Sequence, residues 1–222
     1  MIAFIPSFTA GFSASAAATR PWQTTSSVSM GFVTRFEQLS VETGRTVSMV
    51  DITARVADVV EKSGCKEGTV TVLAKHSTVG VMLNEFEERF VSDARQWLQR
   101  VVPPEYPWLH NDIDFRAGPP GYPGGDDAWR QMRMNEPPNA HSHIIQFVIG
   151  TSEAIPIHEG KMTIGTFQNI IVVDADGPSP FAPVGGAKSR TICVQVQGSD
   201  CGQNATHQLQ RRETRSCELI DK

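Results

Sequence analysis

Three short polar segments concentrate the side chains with chemical potential: His76-Ser77-Thr78-Val79-Gly80, His110-Asn111-Asp112 and Asn139-Ala140-His141-Ser142-His143. Together they hold four of the chain's six histidines. Imidazole is the side chain best suited to exchange protons or ligate a metal near neutral pH. His76 with its two hydroxyls and Gly80 offers a ring nitrogen, hydroxyl donors and backbone amides to an anionic group. A plain ST-turn beneath a solvated histidine has the same composition. His141 and His143 point to one side if they lie on a strand and diverge in a turn. Metal-assisted chemistry needs about three nitrogen or oxygen ligands and an open position, and His76, His110 and His143 could supply them. Glu85, Asp112 and Asp114 could orient a ligand histidine or bind magnesium directly.

These segments must be positioned by the elements around them. Phe36–Val41 and Thr46–Val50 read as two strands of a first hairpin around Glu42-Thr43-Gly44. From Asp51 a helical pattern places Ile52, Val56, Val59 and Val60 on one face, with Gly64 as its stop. The β-branched run Thr69–Ala74 puts His76 where a strand leaves the sheet, a place where ligand groups are held firmly yet accessibly. Asn84 reads as the N-cap of a second helix with an apolar stripe of Phe86, Phe90, Ala94, Trp97, Leu98 and Val101, stopped by Pro103-Pro104. A long Pro/Gly-rich connection follows to Pro138, with a short helix around Asp127–Met134. It carries Tyr106, Trp108, His110, Asp112 and Asp114, as a pocket wall would. Ile144–Ile149, Ala154–Ile157, Lys161–Ile164, Phe167–Asp174 and Thr191–Gln197 read as strands too closely spaced for crossover helices. The expected fold is a single α+β domain over residues 32–198, a mostly antiparallel sheet with about two helices on one face.

Composition excludes several classes. Net charge is −4, and the only dense basic cluster, Arg211, Arg212 and Arg215, is interrupted by Glu213, so no nucleic-acid footprint is present. No apolar run reaches the roughly 20 residues of a membrane span. The four cysteines show no C-x-x-C pair. Met1–Phe36 holds no acidic residue and many Ser, Thr and Ala. Residues 1–31 are therefore expected to be a targeting or disordered extension, with a plastid or mitochondrial transit peptide as the leading reading. Residues 199–222 are expected to form a flexible tail. No Gly-x-Ser-x-Gly elbow, Walker loop, dinucleotide fingerprint or His-Glu-x-x-His is present.

The order His76-Ser-Thr-Val-Gly80, Asn84-Glu85, His110-Asn111-Asp112, Asn139-x-x-x-His143, Gly160-Lys-Met-Thr-Ile-Gly165-Thr-Phe-Gln168, Asp176-Gly177-Pro178 and Arg190-Thr-Ile-Cys-Val-Gln-Val196 resembles the YjbQ-like family, also described as secondary thiamine-phosphate synthases. The resemblance implies a compact α+β subunit assembled as a homotrimer. It also implies a pocket that joins a pyrimidine diphosphate to a thiazole phosphate, with magnesium or zinc on the pyrophosphate leaving group. Carried over by position, His76, His110, His143 and Asp112 are the catalytic candidates, and the same three histidines are the metal candidates. Thr78, Asn84, Glu85, Asn139, Gln168 and Arg190 are the substrate-binding candidates. Three departures stand out: the insertion Phe115–Pro138, Phe167 in place of a more usual Trp, and an Asp-Gly-Pro-Arg-x-Arg signature broken by Ser179–Ser189, which leaves Arg190 and, as a partial substitute, Lys188. A metal-dependent hydrolase and a non-catalytic trimer binding a metal or anion are the competing readings.

Overall fold

A computed structural model describes residues 31–44, 47–134, 138–176 and 188–201. Residues 1–30 of the expected leader, most of the expected tail and residues 179–187 of the break in the Asp-Gly-Pro signature lie outside the described residues. The elements in order are β1 (Phe32–Thr43), β2 (Ser48–Asp51), α1 (Thr53–Ser63), β3 (Glu67–Ala74), β4 (Val79–Asn84), α2 (Glu88–Val101), α3 (Gly125–Arg133), α4 (Ala140–Ile149), β5 (Ser152–His158), β6 (Lys161–Met162), β7 (Asn169–Asp174) and β8 (Lys188–Ser199). Two 3-10 turns, Leu109–Asn111 and Ile113–Phe115, lie between α2 and α3. The α+β class and the antiparallel pairing match expectation, while the helices number four among the described residues and not about two.

The strands divide into two sheets. One has the order β1-β8-β3-β5-β6 and the other β2-β7-β4, with antiparallel neighbours throughout. The smaller sheet is the middle layer. Ile170 and Val172 on β7 pack with Val70, Val72, Val194 and Val196 of the larger sheet and with Val56, Val59 and Val60 of α1. Ile171 and Val173, pointing the other way, pack with Val91 and Leu98 of α2 and Ile145 of α4. A strand buried on both faces reads as a continuous apolar run, and Ile170–Val173 does.

The expected first hairpin is not formed. β1 pairs along its whole length with β8, from Phe32 opposite Ser199 to Thr43 opposite Lys188, whereas β2 pairs with β7. Met49 belongs to the core beneath α2 and α4, and Val50 packs against the other core. β2 therefore serves the middle layer, which β1 does not enter. Closeness in sequence marks two strands without naming their partners.

Ile144–Ile149 is not a strand but the second half of α4. The Asn139 carbonyl accepts from the backbone N–H groups of Ser142 and His143, and Gly150 at φ 95° ends the helix. Ile145 and the preceding Ala140, His141 and Ser142 are its buried residues. A short apolar run is ambiguous in period, and here packing against the middle sheet selects the helix. Val79–Leu83, by contrast, is part of an additional strand, β4. Asn84 ends β4 and does not cap α2. That role falls to Glu87, whose carboxylate accepts from Arg89 N and Phe90 N. Of the expected stripe only Leu98 is fully buried, joined by Val91, which the stripe did not include; Trp97 and Val101 stay exposed, as does Phe86, which precedes the helix.

Candidate functional site

His76 lies in the crossing from β3 in the large sheet to β4 in the middle sheet. Thr78, buried, donates to its Nδ1 from the backbone N–H at 3.3 Å, and the Thr78 hydroxyl lies 2.8 Å from the same atom. A backbone N–H only donates, so Nδ1 is an acceptor and Nε2 carries the proton of the neutral ring. Burial first, and then the charge of Arg190, hold His76 below the ordinary imidazole range, against the opposite pull of Asp176 and Asp174. His143 is close enough to add to the lowering.

His110 and His143 meet edge to face, their ring centroids 4.7 Å apart. Two local features bring them together. His110 sits in the turn Leu109–Asn111, and the Asn111 side chain accepts from Ala140 N at 3.0 Å, pinning that turn to the first residue of α4. His143 is one turn further along α4. On a helix, residues two apart point about 200° away from each other. His143 therefore faces His110, while His141 turns inward and is buried. The same-side reading of His141 and His143 does not hold.

His141 Nε2 lies 3.2 Å from the Ser142 hydroxyl, which donates to Ala175 O at 2.8 Å. Ala175 N in turn donates to Thr78 O at 3.3 Å. This chain of bonds ties the start of α4 to the His76 turn. Burial, against the pull of Asp176 and Glu105, keeps His141 below the usual imidazole value.

Below the histidines lies a buried ion cluster. Arg190 Nε donates to Asp174 Oδ2 at 2.7 Å, and its Nη2 donates to Asp174 Oδ1 at 3.2 Å and to Asp176 Oδ2 at 3.0 Å. Thr43 Oγ1 adds a bond to Asp174 Oδ2 at 2.6 Å, and Lys188 pairs with Asp176 at 3.3 Å. Burial alone would raise the Asp174 carboxyl. The bonds from Arg190 and Thr43 outweigh it and hold the group below the ordinary carboxylate range. The Arg190 guanidinium therefore faces carboxylates, which sets the cluster's shape and the field at His76. Asp174, Asp176, Thr43, Asn111 and Ser142 were not among the site residues read from the sequence. The available signal for Asp174 was a charge ending the apolar run Ile170–Val173.

The remaining candidates separate. Asn139 stands at the start of α4 with its carbonyl engaged, and Asp112 ends the His110 turn with its side chain exposed. Asn84, Glu85 and Gln168 lie at the opposite end of the middle sheet, because Asn84 pairs with Asn169 whereas Val79 pairs with Asp174. Five strand steps of ~3.4 Å put these ends about 17 Å apart. Gln168 closes its own turn, its Oε1 accepting from Gly165 N at 2.7 Å. The three-histidine metal set is also not formed: among the described residues, no three His, Cys, Asp or Glu side chains make a group that could hold a metal ion. His76 commits Nδ1 to Thr78, while the other two rings pair across Asn111.

A two-sheet antiparallel α+β fold with imidazoles over a buried Arg–Asp cluster at one end defines the class of this molecule. The YjbQ-like UPF0047 family profile matches residues 37–199, and the chain belongs to that family. A UPF0047 protein of Methanothermobacter thermautotrophicus is 32% identical over 162 residues, 73% of this chain and 91% of that protein. A YbjQ-like protein of unknown function from Sulfolobus solfataricus has a similar structure with TM-score 0.59 at 30% identity, covering 76% of this chain and 99% of that one. A hypothetical protein from Aeropyrum pernix gives 0.58 at 27%, covering 74% and 98%. Among the described residues no helix is long and apolar enough to cross a membrane.

Proposed function

We propose that the histidine end of this subunit is the active site of a transferase acting on small phosphorylated metabolites, with thiamine-phosphate synthase-like activity. The observation that carries the reading is the edge contact of His110 and His143 beside His76, above a buried Arg190–Asp174–Asp176 cluster. In that reaction the thiazole nitrogen lone pair attacks the methylene carbon of the pyrimidine diphosphate. The carbon–oxygen bond breaks and its electron pair leaves on pyrophosphate. The neutral tautomer of His76 presents Nε2–H, a donor suited to a leaving-group oxygen. Asp174 and Asp176 fix Arg190, whose positive charge disfavours a second charge on His76 and keeps that donor neutral.

His110 and His143 are the two residues that would hold a divalent ion, and imidazole favours zinc over magnesium. When bound, such an ion neutralises charge developing on the diphosphate. Homotrimer assembly is part of the same proposal and follows from the resemblance.

The test is an assay of the purified chain with both precursors, with and without zinc or magnesium, following thiamine phosphate and pyrophosphate together. Turnover should fall by roughly 100-fold or more in His143→Ala, the scale of losing a catalytic proton or charge contact. Unchanged turnover in that variant removes the histidine from the mechanism. Pyrophosphate release without the thiazole partner would favour a hydrolase. Tight binding without turnover would favour a non-catalytic binding protein.

A further inference from the structure

We infer that Arg116, supplied by the insertion that begins at Phe115, is a positioning residue for His110, and that the insertion acts on the His110–His143 pair through this side chain. The inference deepens the reading above and rests on it for what His110 does in turnover.

Little holds the His110 turn by itself. Leu109–Asn111 is a single 3-10 turn, closed by Asn111 N donating to Trp108 O at 3.0 Å and Asp112 N donating to Leu109 O at 3.1 Å. A turn this short has few bonds of its own, so its neighbours fix where it sits. Two of those neighbours belong to the core. Trp108 packs against the cluster beneath α2 and α4 and donates Nε1 to Pro103 O at 2.9 Å, and Asn111 accepts from Ala140 N. The third belongs to the insertion: Arg116 reaches back and donates Nη1 to the His110 carbonyl at 3.1 Å.

That bond acts on the peptide unit from which the His110 ring springs. A guanidinium donating to a carbonyl is charge-assisted and stronger than a bond between neutral groups, and here it is partly buried, away from full competition with water. The His110 and His143 rings meet edge to face at 4.7 Å, a contact that opens when the turn carrying one ring swings. Arg116 therefore bears on the pair through the backbone of His110.

The insertion is built to hold Arg116 in place. Arg116 N donates to Ile113 O at 3.2 Å, closing the second 3-10 turn, and α3 packs against that turn. Gly118 N donates to Asp126 Oδ1 at 3.0 Å, tying the chain just after Arg116 to the first turn of α3. Trp129 is the hub. Tyr122 meets it edge to face at 5.3 Å, the Arg133 guanidinium carbon lies 4.6 Å over its ring, and a Cβ on Gly118 would stand 3.0 Å from it. Glycine lets the backbone pass this close to the indole. Residues 115–134 thus form a packed unit around one tryptophan that delivers a guanidinium to His110.

Full-length protein with isotope-labelled histidine is followed by ring NMR, with thermal melts and turnover of both thiamine precursors measured on the same samples. Arg116→Ala should shift the His110 and His143 ring signals and leave in place that of His158, which sits at the end of β5 beside Glu67. Its kcat should fall about 10–100-fold, the scale of a misplaced catalytic group, with KM changed less than about threefold. Arg116→Lys, which can still donate to the carbonyl, should restore most of both. Arg116→Gln, which keeps part of the aliphatic stem, carries the same arm if the alanine variant does not fold. Trp129→Ala, which loosens the insertion and leaves Arg116 present, should move the same signals. Added to Arg116→Ala it should move them no further, because both act through one bond. Unmoved His110 and His143 signals in a folded Arg116 variant, no restoration by lysine, full additivity with Trp129→Ala, or an active wild type whose turnover Arg116→Ala leaves unchanged each overturns the inference. Shifted ring signals in a chain that makes no thiamine phosphate would leave the placement of His110 by Arg116 standing and reject the transferase reading instead.

Discussion

Replacing Arg190 with methionine removes the one guanidinium that holds two carboxylates beneath the histidines. The Arg190 side chain is 10% exposed and that of Asp174 only 2%, so the loss strands a charge that water does not reach. Breaking a buried pair from one side costs about 3–5 kcal/mol, whereas an exposed pair contributes ~0–1 kcal/mol. For a domain of this size 1 kcal/mol corresponds to about 2–4 °C, so the melting temperature should drop by roughly 6–20 °C. The pH dependence separates this from a simple packing defect. In the wild type, burial opposes the Asp174 anion but the bonds from Arg190 and Thr43 win, so its folded pKa lies below the unfolded one. Such a group contributes stability above its unfolded value, about 4, and loses it as pH falls through the folded value. Without Arg190, burial is opposed mainly by Thr43, the carboxyl moves upward, and folding favours its protonated form. The variant should therefore lag the wild type most near pH 8 and recover part of the difference by pH 5. Urea melts at pH 5, 6, 7 and 8 measure this directly. A deficit below 1 kcal/mol, or one that stays constant across that range, would refute the account of the cluster.

Two further outcomes follow from the same geometry. His76 should titrate below its unfolded value of about 6.5 in a histidine-resolved NMR experiment; because the unfolded state binds the proton more readily, its contribution to stability rises as pH climbs from the folded value towards that figure. Thr78→Val, which removes the hydroxyl from Nδ1, should move the midpoint upward and cost about 1–2 kcal/mol, and an unmoved midpoint would remove the hydroxyl from the tautomer argument. Gly80→Ala should destabilise by about 1–3 kcal/mol in a thermal melt, since its Cβ would lie 2.7 Å from Ile149 Cγ2 and 2.8 Å from the Gly150 carbonyl oxygen. A neutral result there would show that the end of α4 yields freely.

Much of the secondary structure was legible because its signals are local. The period of Val56, Val59 and Val60 and the left-handed Gly64 define α1, and the alternation in β3, β5 and β8 matches the strands found. Errors arose where the deciding interaction was remote. The β-branched Ile144–Ile149 run suits a strand or a buried helix, and only its seat against Ile171 and Val173 chooses between them. Residues such as Thr43 and Asp174 were overlooked because they are 131 positions apart in sequence yet 2.6 Å apart in space.

The sequence by itself determined the α+β class, the order of most strands and the family. Tertiary structure alone decided that β1 joins β8 and not β2, that His141 turns inward while His143 meets His110, and that Arg190 answers to carboxylates. It also set Asn84 and Glu85 about 17 Å along the sheet from the His76 turn. The division has one physical cause. Backbone propensity and hydrophobic period act between near neighbours, whereas strand partners, buried ion pairs and ring contacts depend on how distant segments share a limited interior.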